Sequence, residues 1–512
     1  MSIHKILKVL FGRVMFTLLC VAIQIGWMFA LWTTFHNYSA VCSFIVQFAA
    51  IIVVIGINSR SENSAGRLVW TIIILVFPIF GLCLYSMFGR QGITNRKKRA
   101  YDKVNKTFIP YLLQDTMVMD SLREENLFVH NQQFYIQNQS TYPAYQDTAV
   151  NYYGDTADAL EAMLEDMEQA KSFIFMEYFA VEDADIWHRI EDVLVRKVAE
   201  GVEVRFIYDD FGSIGFVKPE FAKRLTQKGI RTRIFNPLVP AVYLFMNHRD
   251  HRKITVIDNK ISYSGGYNIA DEYFNVVHPY GHWKDSGIRL EGDAVNSHTV
   301  MFLQMWNSIM ASDRDYSVYL KPYENAPHSA KGYVQPYSDT PLDKINLGEN
   351  VYMNILKNAT DYVYITTPYL IIDTEMEREL CLAAQRGIDV RIITPNIPDK
   401  KTVFLLTQSY YNNLIRAGVR IYQYTPGFLH AKNFVCDDRI AVVGTINMDY
   451  RSLYLHFECA TYLYNTGVEM DVKEDFIETM AKSHEITLED CMKRKIPTRM
   501  LQAFLRLLAP MA

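Results

Sequence analysis

The sequence has few cysteines for its length, and it lacks the paired CxxC spacing of a zinc site or a redox motif. Seven cysteines are scattered over 512 residues: Cys20, Cys42, Cys83, Cys381, Cys436, Cys459 and Cys491. A disulfide framework is typical of short secreted chains with an even number of closely spaced cysteines, and this chain has neither property. The cysteines are therefore predicted to be small buried apolar residues in a reducing compartment.

The sequence also lacks a strong excess of charge of either sign. Its formal net charge is -4, from 52 basic and 56 acidic residues. A protein that binds nucleic acid through the phosphates is usually basic, so no nucleic-acid partner is predicted and any charged ligand must be bound locally. Half of the residues (50%) are hydrophobic, and at roughly 150 residues per domain the length suggests about three units.

Long uncharged apolar runs are confined to the first ninety residues, at 14–32, 39–57 and 68–88. Each run is close to the roughly 20 residues that a helix needs to cross about 30 Å of hydrocarbon. A secretory signal peptide would have a shorter apolar core, and two further runs would not follow it. We expect residues 1–106 to form a membrane anchor of two or three transmembrane helices. Pro78 and Gly81 predict that the third helix is kinked or only partly inserted.

A dense basic flank follows the third run, with a single acid, Asp102. Its basic residues are Arg90, Arg96, Lys97, Lys98, Arg99, Lys103 and Lys106. The positive-inside rule places this flank in the cytoplasm, where anionic headgroups would hold it at the surface. Lys5, Lys8 and Arg13 favour an inside N-terminus as well, so either the N-terminus lies outside or one run does not cross fully. The denser flank predicts a multi-pass protein of the cell membrane with cytoplasmic catalytic domains.

From about residue 145 onward, short β-rich runs alternate with amphipathic stretches, which is typical of an α/β fold. Strands are predicted at 202–208, 254–258, 261–265, 362–367, 390–394, 419–424 and 440–444, and helices at 185–200 and 375–385. The segment EGVEVRFIYDD (200–210) parallels RGIDVRIITPN (386–396), each with a helix end, a glycine turn and a strand. The chain is predicted to contain two copies of one fold.

A longer motif, HxKx4Dx6G[GT]xN, occurs once in each copy. Its residues are His251, Lys253, Asp258, Gly265 and Asn268 in the first copy, and His430, Lys432, Asp437, Gly444 and Asn447 in the second. Alternate side chains of a strand share one face, so the histidine and lysine of each copy project together. Two facing copies would surround one pocket with two imidazoles, two ammonium groups and two amides, a composition suited to a phosphate group. The nearby His248 and His456 are expected to be structural core residues.

The duplicated motif resembles that of the phospholipase D superfamily. The apolar N-terminus before a basic flank, the segment HWKDSGIRLEG (282–292) and the segment GTINMDYRS (444–452) narrow the resemblance to bacterial cardiolipin synthases. It covers about residues 105–500. It implies an α/β fold with two phospholipase D-like domains, at 107–325 and 326–490, in a pseudo-two-fold arrangement behind the N-terminal transmembrane anchor. One active site would lie at the interface of the two domains.

The resemblance also implies roles for the motif residues. One histidine attacks the phosphorus and forms a phosphohistidine, while the other acts as general acid and then base. The residues themselves are symmetric, and the resemblance assigns the nucleophile to His251 and the acid/base to His430. The groups expected to bind the non-bridging phosphate oxygens are Lys253, Lys432, Asn268 and Asn447. No metal and no other cofactor is expected, because these cationic side chains take the part of a metal.

Carboxylates are expected to orient the two imidazoles. The resemblance places them downstream of each asparagine and across the interface, so Glu458 would stand behind His251 and Asp285 behind His430. Asp258 and Asp437 complete the catalytic motif, but they are expected to support the strand and the following loop rather than to touch the substrate.

The implied reaction joins two phosphatidylglycerol molecules into cardiolipin and releases glycerol, at the cytoplasmic face of a bacterial membrane. The partners would thus be phosphatidylglycerol and other membrane lipid. A phospholipase D hydrolase that releases phosphatidic acid would share every catalytic residue. A nuclease of the same superfamily is disfavoured by the apolar N-terminus and the lack of a broad basic surface, and a non-catalytic membrane scaffold would have no reason to retain both motifs.

The last segment, 491–512, is predicted to be an amphipathic tail. One helical face carries Met500, Leu501, Phe504, Leu507 and Leu508, while Arg499 and Arg506 lie among the remaining residues. Such a face either docks on the membrane or packs against protein, such as the N-terminal helices.

Overall fold

The computed structural model describes residues 22–23, 25–30, 33–34, 40–59, 64–86, 95–238, 247–313, 315–321, 330–343 and 345–511. Residues 22–23, 25–30 and 33–34 are helical, and the helices α1 (Ala40–Asn58), α2 (Ser64–Val76) and α3 (Pro78–Leu84) follow them. The helical run breaks at Phe77, because the proline after it has no N–H to donate. A β-carbon on Gly81 would lie only 2.6 Å from the Cα of Ile74, so the glycine lets α3 turn back against α2. The predicted kink in the third apolar run is confirmed.

The segment predicted to be a membrane anchor is only partly covered by the described residues. Among the helices in those ranges, none has both the length and the apolar character that a membrane crossing requires. The predicted run at 14–32 falls largely outside the described residues, as do the basic residues at positions 5, 8, 13 and 90. Helix α1 exposes a set of large apolar side chains, namely Phe44, Ile45, Phe48, Ile51, Ile52 and Ile55.

Three helices connect this region to the first sheet: α4 (Asn95–Phe108), α5 (Thr116–Glu125) and α6 (Leu127–Ser140). Two of them begin at side-chain caps, which satisfy backbone N–H groups that have no partner within the helix. The Asp115 carboxylate accepts from the N–H of Met117 at the start of α5. The Asn126 side chain does the same for the N–H groups of Phe128 and Val129 at the start of α6.

The first repeat alternates strands and helices and ends in a long helix. Its elements are β1 (Thr148–Tyr153), α7 (Thr156–Glu168), β2 (Phe173–Tyr178), α8 (Asp185–Ala199), β3 (Glu203–Asp209), α9 (Phe221–Gln227), β4 (Arg231–Phe235), β5 (Arg249–Asp250), β6 (Lys253–Ile257), β7 (Ile261–Gly265), β8 (His282–Lys284), β9 (Gly287–Gly292) and α10 (Val295–Ile309). The strands β2, β3, β6 and β7 are almost fully buried, in keeping with their content of β-branched and aromatic residues.

The second repeat follows the same plan and adds a C-terminal extension. Its elements are β10 (Tyr333–Asp339), α11 (Leu347–Asn358), β11 (Tyr362–Thr366), β12 (Leu370–Ile371), α12 (Thr374–Gln385), β13 (Asp389–Pro395), α13 (Lys401–Ala417), β14 (Arg420–Tyr424), β15 (Gly427–Leu429), β16 (Asn433–Cys436), β17 (Ile440–Gly444), β18 (Met448–Asp449), α14 (Tyr450–Tyr454), β19 (His456–Tyr464), α15 (Val468–Ala481) and β20 (Ser483–Ile486). The extension contains α16 (Leu488–Met492) and α17 (Ile496–Leu508).

Each repeat builds one mixed sheet, and the two sheets have the same strand order. The first runs β1-β9-β7-β6-β2-β3-β4, and the second runs β10-β19-β17-β16-β11-β13-β14 with β20 added at its edge. In both sheets the last three shared strands are parallel and the others pair antiparallel. The predicted duplication of an α/β unit is therefore confirmed at the level of topology.

The largest described hydrophobic core passes through both repeats, and a second cluster lies within the first repeat. The largest core includes Phe175 and Val256 of the first sheet, Val442 and Leu463 of the second, and Phe302 of α10 between them. The connecting helices also join the repeats, because α4 packs on α10 and α6 packs on β10 and α11. The domain limits 107–325 and 326–490 remain predictions, since α6 precedes the first repeat in the chain but contacts the second.

Candidate active site

Two short strands pair with the opposite repeat and place the motif histidines against it. Strand β5 pairs in parallel with the start of β19, and the N–H of His251 then donates to the carbonyl of Phe457 at 2.9 Å. Strand β15 pairs in the same way with β8, and the N–H of His430 donates to the carbonyl of Lys284 at 2.7 Å. Phe457 and Lys284 each precede a carboxylate, so both pairings bring an imidazole beside an acid of the other repeat.

In the first pair, the His251 Nδ1–H donates to both carboxylate oxygens of Glu458, at 2.9 and 3.0 Å. Glu458 is fully buried, and it also accepts from the hydroxyls of Ser452 and Thr445. Burial would raise the pKa of this carboxyl, but the charge and hydrogen bond of His251 outweigh burial and hold it well below its usual range. Each oxygen of the Glu458 carboxylate therefore accepts one hydrogen bond from His251 and one from a hydroxyl.

In the second pair, His430 Nδ1 lies 2.7 Å from Asp285 Oδ2. The other Asp285 oxygen accepts from the N–H of Ser286 at 2.9 Å. Burial would raise the pKa of Asp285, but His430 and Lys432 outweigh burial and lower it. One feature has no counterpart in the first pair: the Nζ of Lys432 also lies 2.8 Å from His430 Nδ1. That nitrogen thus faces a carboxylate and an ammonium group at once.

Both imidazoles are buried, and burial disfavours their charged form. Burial lowers the pKa of His251 to about 3, against the attraction of Glu458. Burial and the charge of Lys432 lower the pKa of His430 to about 4. A neutral imidazole with a proton on Nδ1 has a free lone pair on Nε2, which is the form that a nucleophile or a general base requires.

The two motif lysines lie beside the histidines, as the alternation along a strand predicts. The Nζ of Lys253 donates to the carbonyl of His251 at 2.6 Å, and that of Lys432 donates to the carbonyl of His430. Burial lowers the pKa of Lys253 to about 8 and that of Lys432 to about 7. The charge of Lys253 also acts across the interface to lower the pKa values of His430 and Lys432. The groups of the two repeats therefore share one electrostatic environment.

The two motif asparagines have different surroundings. The amide of Asn268 is held by protein groups, since its oxygen accepts from the N–H of Ala180 at 3.0 Å and its Nδ2 donates to the Tyr273 hydroxyl at 2.8 Å. The side-chain oxygen of Asn447 is buried and has no hydrogen-bond partner among the described residues. The predicted role of both amides at the phosphate stays a prediction, because the unpaired Asn447 atom is an acceptor and a phosphate oxygen requires a donor.

The structure places Asp258 and Asp437 at turns, bonded to backbone rather than to the histidines. Asp258 accepts from the N–H groups of Lys171, Ser172 and Phe173 at 2.6–2.8 Å, just where β2 begins. Asp437 accepts in the same way from the N–H groups of residues 360–362, at the start of β11. Both adopt positive φ angles, 56° and 51°, a conformation that aspartate tolerates better than most residues. The geometry agrees with a supporting role for both.

His456 was predicted to be a structural core residue, but it lies beside His251 in the candidate active site. Its ring lies 5.5 Å from that of His251, and its Nδ1 is 3.7 Å from Glu458 Oε1. In the other repeat the matching position is Trp283, whose ring lies 5.3 Å from that of His430. The sequence could have indicated this placement, because His456 and Trp283 each stand two positions before the carboxylate that orients a motif histidine. His248, by contrast, bonds to the carbonyl of Leu455 and has the structural place that was expected.

Among the described residues, the one cluster that could hold a metal ion includes the His251–Glu458 pair itself. It consists of His251, His456 and Glu458, whose ligand atoms lie within 4.8 Å of one another. The Glu458 oxygens are engaged by the imidazole and by two hydroxyls.

The arrangement defines a class of protein: a duplicated α/β enzyme with two imidazole–carboxylate pairs and two lysines in one buried site. The family model "Cardiolipin synthase, PLD-like domain" matches residues 163–306 and 352–480, and a phospholipase D–nuclease N-terminal model matches residues 45–90. The chain belongs to the cardiolipin synthase family of the phospholipase D superfamily, and it is a phosphatidyltransferase. Its family and its N-terminal match make it a membrane-associated protein that acts on phospholipids.

The chain is also similar to several individual proteins. A cardiolipin synthase of Oceanobacillus iheyensis is 34% identical over 477 residues, which cover 91% of this chain and 98% of the relative. An uncharacterized protein of Streptococcus mutans is 45% identical over 459 residues, covering 89% of this chain and 98% of that protein. The crystal structure of a phosphatidylserine synthase from Haemophilus influenzae superimposes with a TM-score of 0.54 at 14% identity, over 71% of this chain and 93% of that one. The last comparison concerns the fold alone.

Proposed function

We propose that the protein joins two phosphatidylglycerol molecules into cardiolipin and glycerol through a phosphohistidine intermediate. The observation that carries this proposal is the pair of buried imidazoles, each held at Nδ1 by a carboxylate of the opposite repeat. Such an arrangement would supply a nucleophile and an acid on either side of one phosphorus atom. A covalent intermediate suits an exchange of alcohols, because the phosphatidyl group remains bound to the enzyme while one alcohol leaves and another enters.

In the first step, Nε2 of His251 attacks the phosphorus of phosphatidylglycerol. A P–N bond forms and the P–O bond to glycerol breaks, while the departing glycerol oxygen takes a proton from His430. In the second step, His430 removes a proton from a headgroup hydroxyl of the second phosphatidylglycerol. That oxygen attacks the phosphorus, the P–N bond breaks, and cardiolipin is released with His251 regenerated. No net proton or electron is required from another source.

The surroundings of the two Nδ1 atoms support this division of roles. Glu458 can only accept at His251 Nδ1, so the proton stays there and the lone pair stays on Nε2 for attack. His430 Nδ1 faces both an acceptor, Asp285, and a donor, Lys432. A donor at Nδ1 favours the tautomer with its proton on Nε2, while the carboxylate favours the reverse. His430 therefore has a stabilising partner for each protonation state of an acid/base cycle.

The two lysines would bind the non-bridging oxygens and stabilise the charge that develops on them in the transition state. The Lys253 and Lys432 ammonium groups are buried, so their attraction for a phosphate is weakly screened by solvent. An anionic substrate would raise both lysine pKa values and keep the groups charged during turnover.

We also propose that residues 1–106 anchor the protein by two or three membrane crossings, with the domains at 107–325 and 326–490 in the cytoplasm. The three uncharged runs, the basic flank and the apolar exterior of α1 support this topology. Because both substrate molecules reside in the bilayer, a membrane anchor would hold the site at their surface. A topology assay tests this arrangement: single reporter fusions after residues 35, 62 and 106 should report the last position as cytoplasmic.

The reaction is tested by incubating the purified full chain with vesicles that contain phosphatidylglycerol. We expect cardiolipin and glycerol in equal amounts; phosphatidic acid as the main product would instead identify a hydrolase. His251→Ala and His430→Ala should each abolish turnover. His484→Ala, which removes an exposed histidine outside the site, is the matched control and should keep wild-type activity. Full activity of either active-site variant would refute the proposal.

A further inference from the structure

The C-terminal helix α17 is oriented with its apolar side away from the protein. Ile496, Met500 and Phe504 lie one turn apart along one face, and their side chains are 71%, 70% and 58% exposed. Leu501 and Leu507 widen the same exposed stripe. A helix on the surface of a globular protein normally buries such a stripe and exposes its polar face. Of the two alternatives that the sequence left open, packing of this face against protein is not seen among the described residues.

The side of α17 that faces inward carries Gln502 and Arg506 together with Leu505, which packs on the core. Gln502 is only 5% exposed, and its Nε2 donates to the carbonyl of Leu405 on α13 at 3.1 Å. Arg506 pairs with Glu377 of α12, and its guanidinium lies 4.2 Å above the ring of Tyr410. These contacts fix the rotation of the helix about its axis. The outward position of the apolar stripe is therefore a consequence of specific polar bonds.

The stripe adjoins the apolar N-terminal helices. The end of the chain after α17 contacts α2, where a β-carbon on Gly66 would lie 3.9 Å from the Cβ of Pro510. Helix α2 has its own exposed apolar residues, Leu68, Ile72, Leu75 and Val76. A contiguous apolar surface of this kind marks an interaction site, and here it extends the region that is already expected to contact lipid.

We propose that α17 lies in the membrane–water interface, with its apolar stripe among the acyl chains of an anionic bilayer. Lys495 and Arg499 are exposed beside the stripe and would contact lipid phosphates, the arrangement of an interfacial amphipathic helix. The helix thus provides a second membrane contact, beyond the N-terminal anchor, that orients the catalytic domains toward the bilayer. The proposal rests on membrane association and is independent of the reaction that the site performs.

Photocrosslinking of the full chain tests this proposal. Phe504 is replaced by p-benzoylphenylalanine, and the protein is reconstituted in vesicles of phosphatidylcholine and phosphatidylglycerol that contain a radiolabelled lipid. The matched control places the same photoreactive residue at Met470, an exposed apolar position on α15. We expect illumination to label the position-504 protein at least several-fold more than the control. In vesicles of phosphatidylcholine alone, the labelling should fall, because the anionic headgroups are missing.

Each other outcome overturns the proposal. A crosslinked dimer would show that a second copy of this chain covers the stripe. A crosslink within one chain to a peptide from the first 40 residues would assign the stripe to an N-terminal segment. Equal labelling at positions 504 and 470 would show that the stripe is not embedded. Labelling that does not depend on phosphatidylglycerol would contradict the anionic bilayer that the proposal names and the contacts of Lys495 and Arg499 with its phosphates. All of these readouts are independent of phosphatidyl transfer, so an inactive enzyme would leave the test intact.

Discussion

Each active-site imidazole is oriented by a carboxylate that belongs to the other repeat. The carboxylate selects which ring nitrogen bears the proton, and a buried ion is costly unless its acceptor sites are filled. Glu458 meets that requirement with His251 and two hydroxyls, and Asp285 meets it with His430 and a backbone N–H. The chemistry of each histidine therefore depends on one residue about 150 or 200 positions away in the chain.

The first prediction concerns Glu458. Glu458→Gln keeps the size of the side chain but removes its charge and can present an amide donor to Nδ1, which favours the wrong tautomer. We expect the rate of transfer to fall by roughly 100-fold or more, on the scale of other residues that orient a catalytic imidazole. The measurement is cardiolipin formation at saturating phosphatidylglycerol. Glu469→Gln, which alters a buried carboxylate outside the site, should retain activity. A wild-type rate for Glu458→Gln would contradict the assigned role.

The second prediction concerns pH. Burial lowers the pKa of Lys432 to about 7 and that of Lys253 to about 8, so the free enzyme loses these charges as the pH rises through 7 and 8. Since the lysines attract the substrate phosphate, kcat/KM should fall over that range. Bound phosphate stabilises the charged lysines, so the decline in kcat should begin at a higher pH. The pH dependence of the rate at low phosphatidylglycerol measures the decline of kcat/KM, and the pH dependence at saturating phosphatidylglycerol measures the decline of kcat. If both decline at the same pH, titration of the two lysines is not the cause.

At the residue scale, the sequence predicted most of the site because the motif is local and occurs twice. Spacing alone placed each lysine beside its histidine, and the resemblance pointed to Asp285 and Glu458. His456 was taken for a core residue, since only the pairing of β19 with β5 brings it to His251. The bond from Asn268 to Tyr273 was equally hidden, because hydrogen-bond partners within a loop leave no periodic pattern in the sequence.

At the scale of elements, the long strands and helices were predictable and the short crossing strands were not. Predicted strands at 261–265 and 440–444 have the same bounds as β7 and β17, because both are short, largely buried runs that begin at an isoleucine after a turn and end at a glycine. The strands β5, β8 and β15 have two or three residues each. They exist because of pairing between repeats, and no local preference indicates them. These short strands nevertheless carry the histidines to their partners.

The third prediction concerns the turn between two strands. Asp258→Asn keeps a residue that tolerates the positive φ angle of 56°, but it weakens three hydrogen bonds from backbone N–H groups at the start of β2. We expect the free energy of unfolding to fall by about 2 kcal/mol, with transfer by the folded protein changed only a few-fold. Denaturation in detergent and activity per folded molecule measure the two effects. Asp437→Asn should have the same effects. If either variant lost activity while its stability was unchanged, the aspartate would have a role in the reaction rather than in supporting the turn.

On the scale of the whole molecule, the two repeats share one hydrophobic core. The core includes residues of both sheets and of α10, and α6, which precedes the first repeat in the chain, contacts the second. The duplication in the sequence indicated two domains. The sequence did not indicate that α4 and α6 join the repeats, because those contacts depend on packing between distant segments. Neither repeat contains a complete pair of histidine and carboxylate, so the active site exists only when both are assembled.

The fourth prediction follows from that assembly. The strand pairings β5–β19 and β15–β8 and the shared core hold the repeats of one chain together, so exchange of repeats between chains would require opening of buried apolar surface. His251→Ala and His430→Ala proteins, mixed in the same vesicles, should therefore show no more cardiolipin formation than the sum of each alone. Wild-type protein mixed with the double variant should lose activity only in proportion to its dilution, which controls for crowding in the membrane. Recovery of activity in the first mixture would mean that two chains can complete one site, and that the histidines need not come from the same molecule.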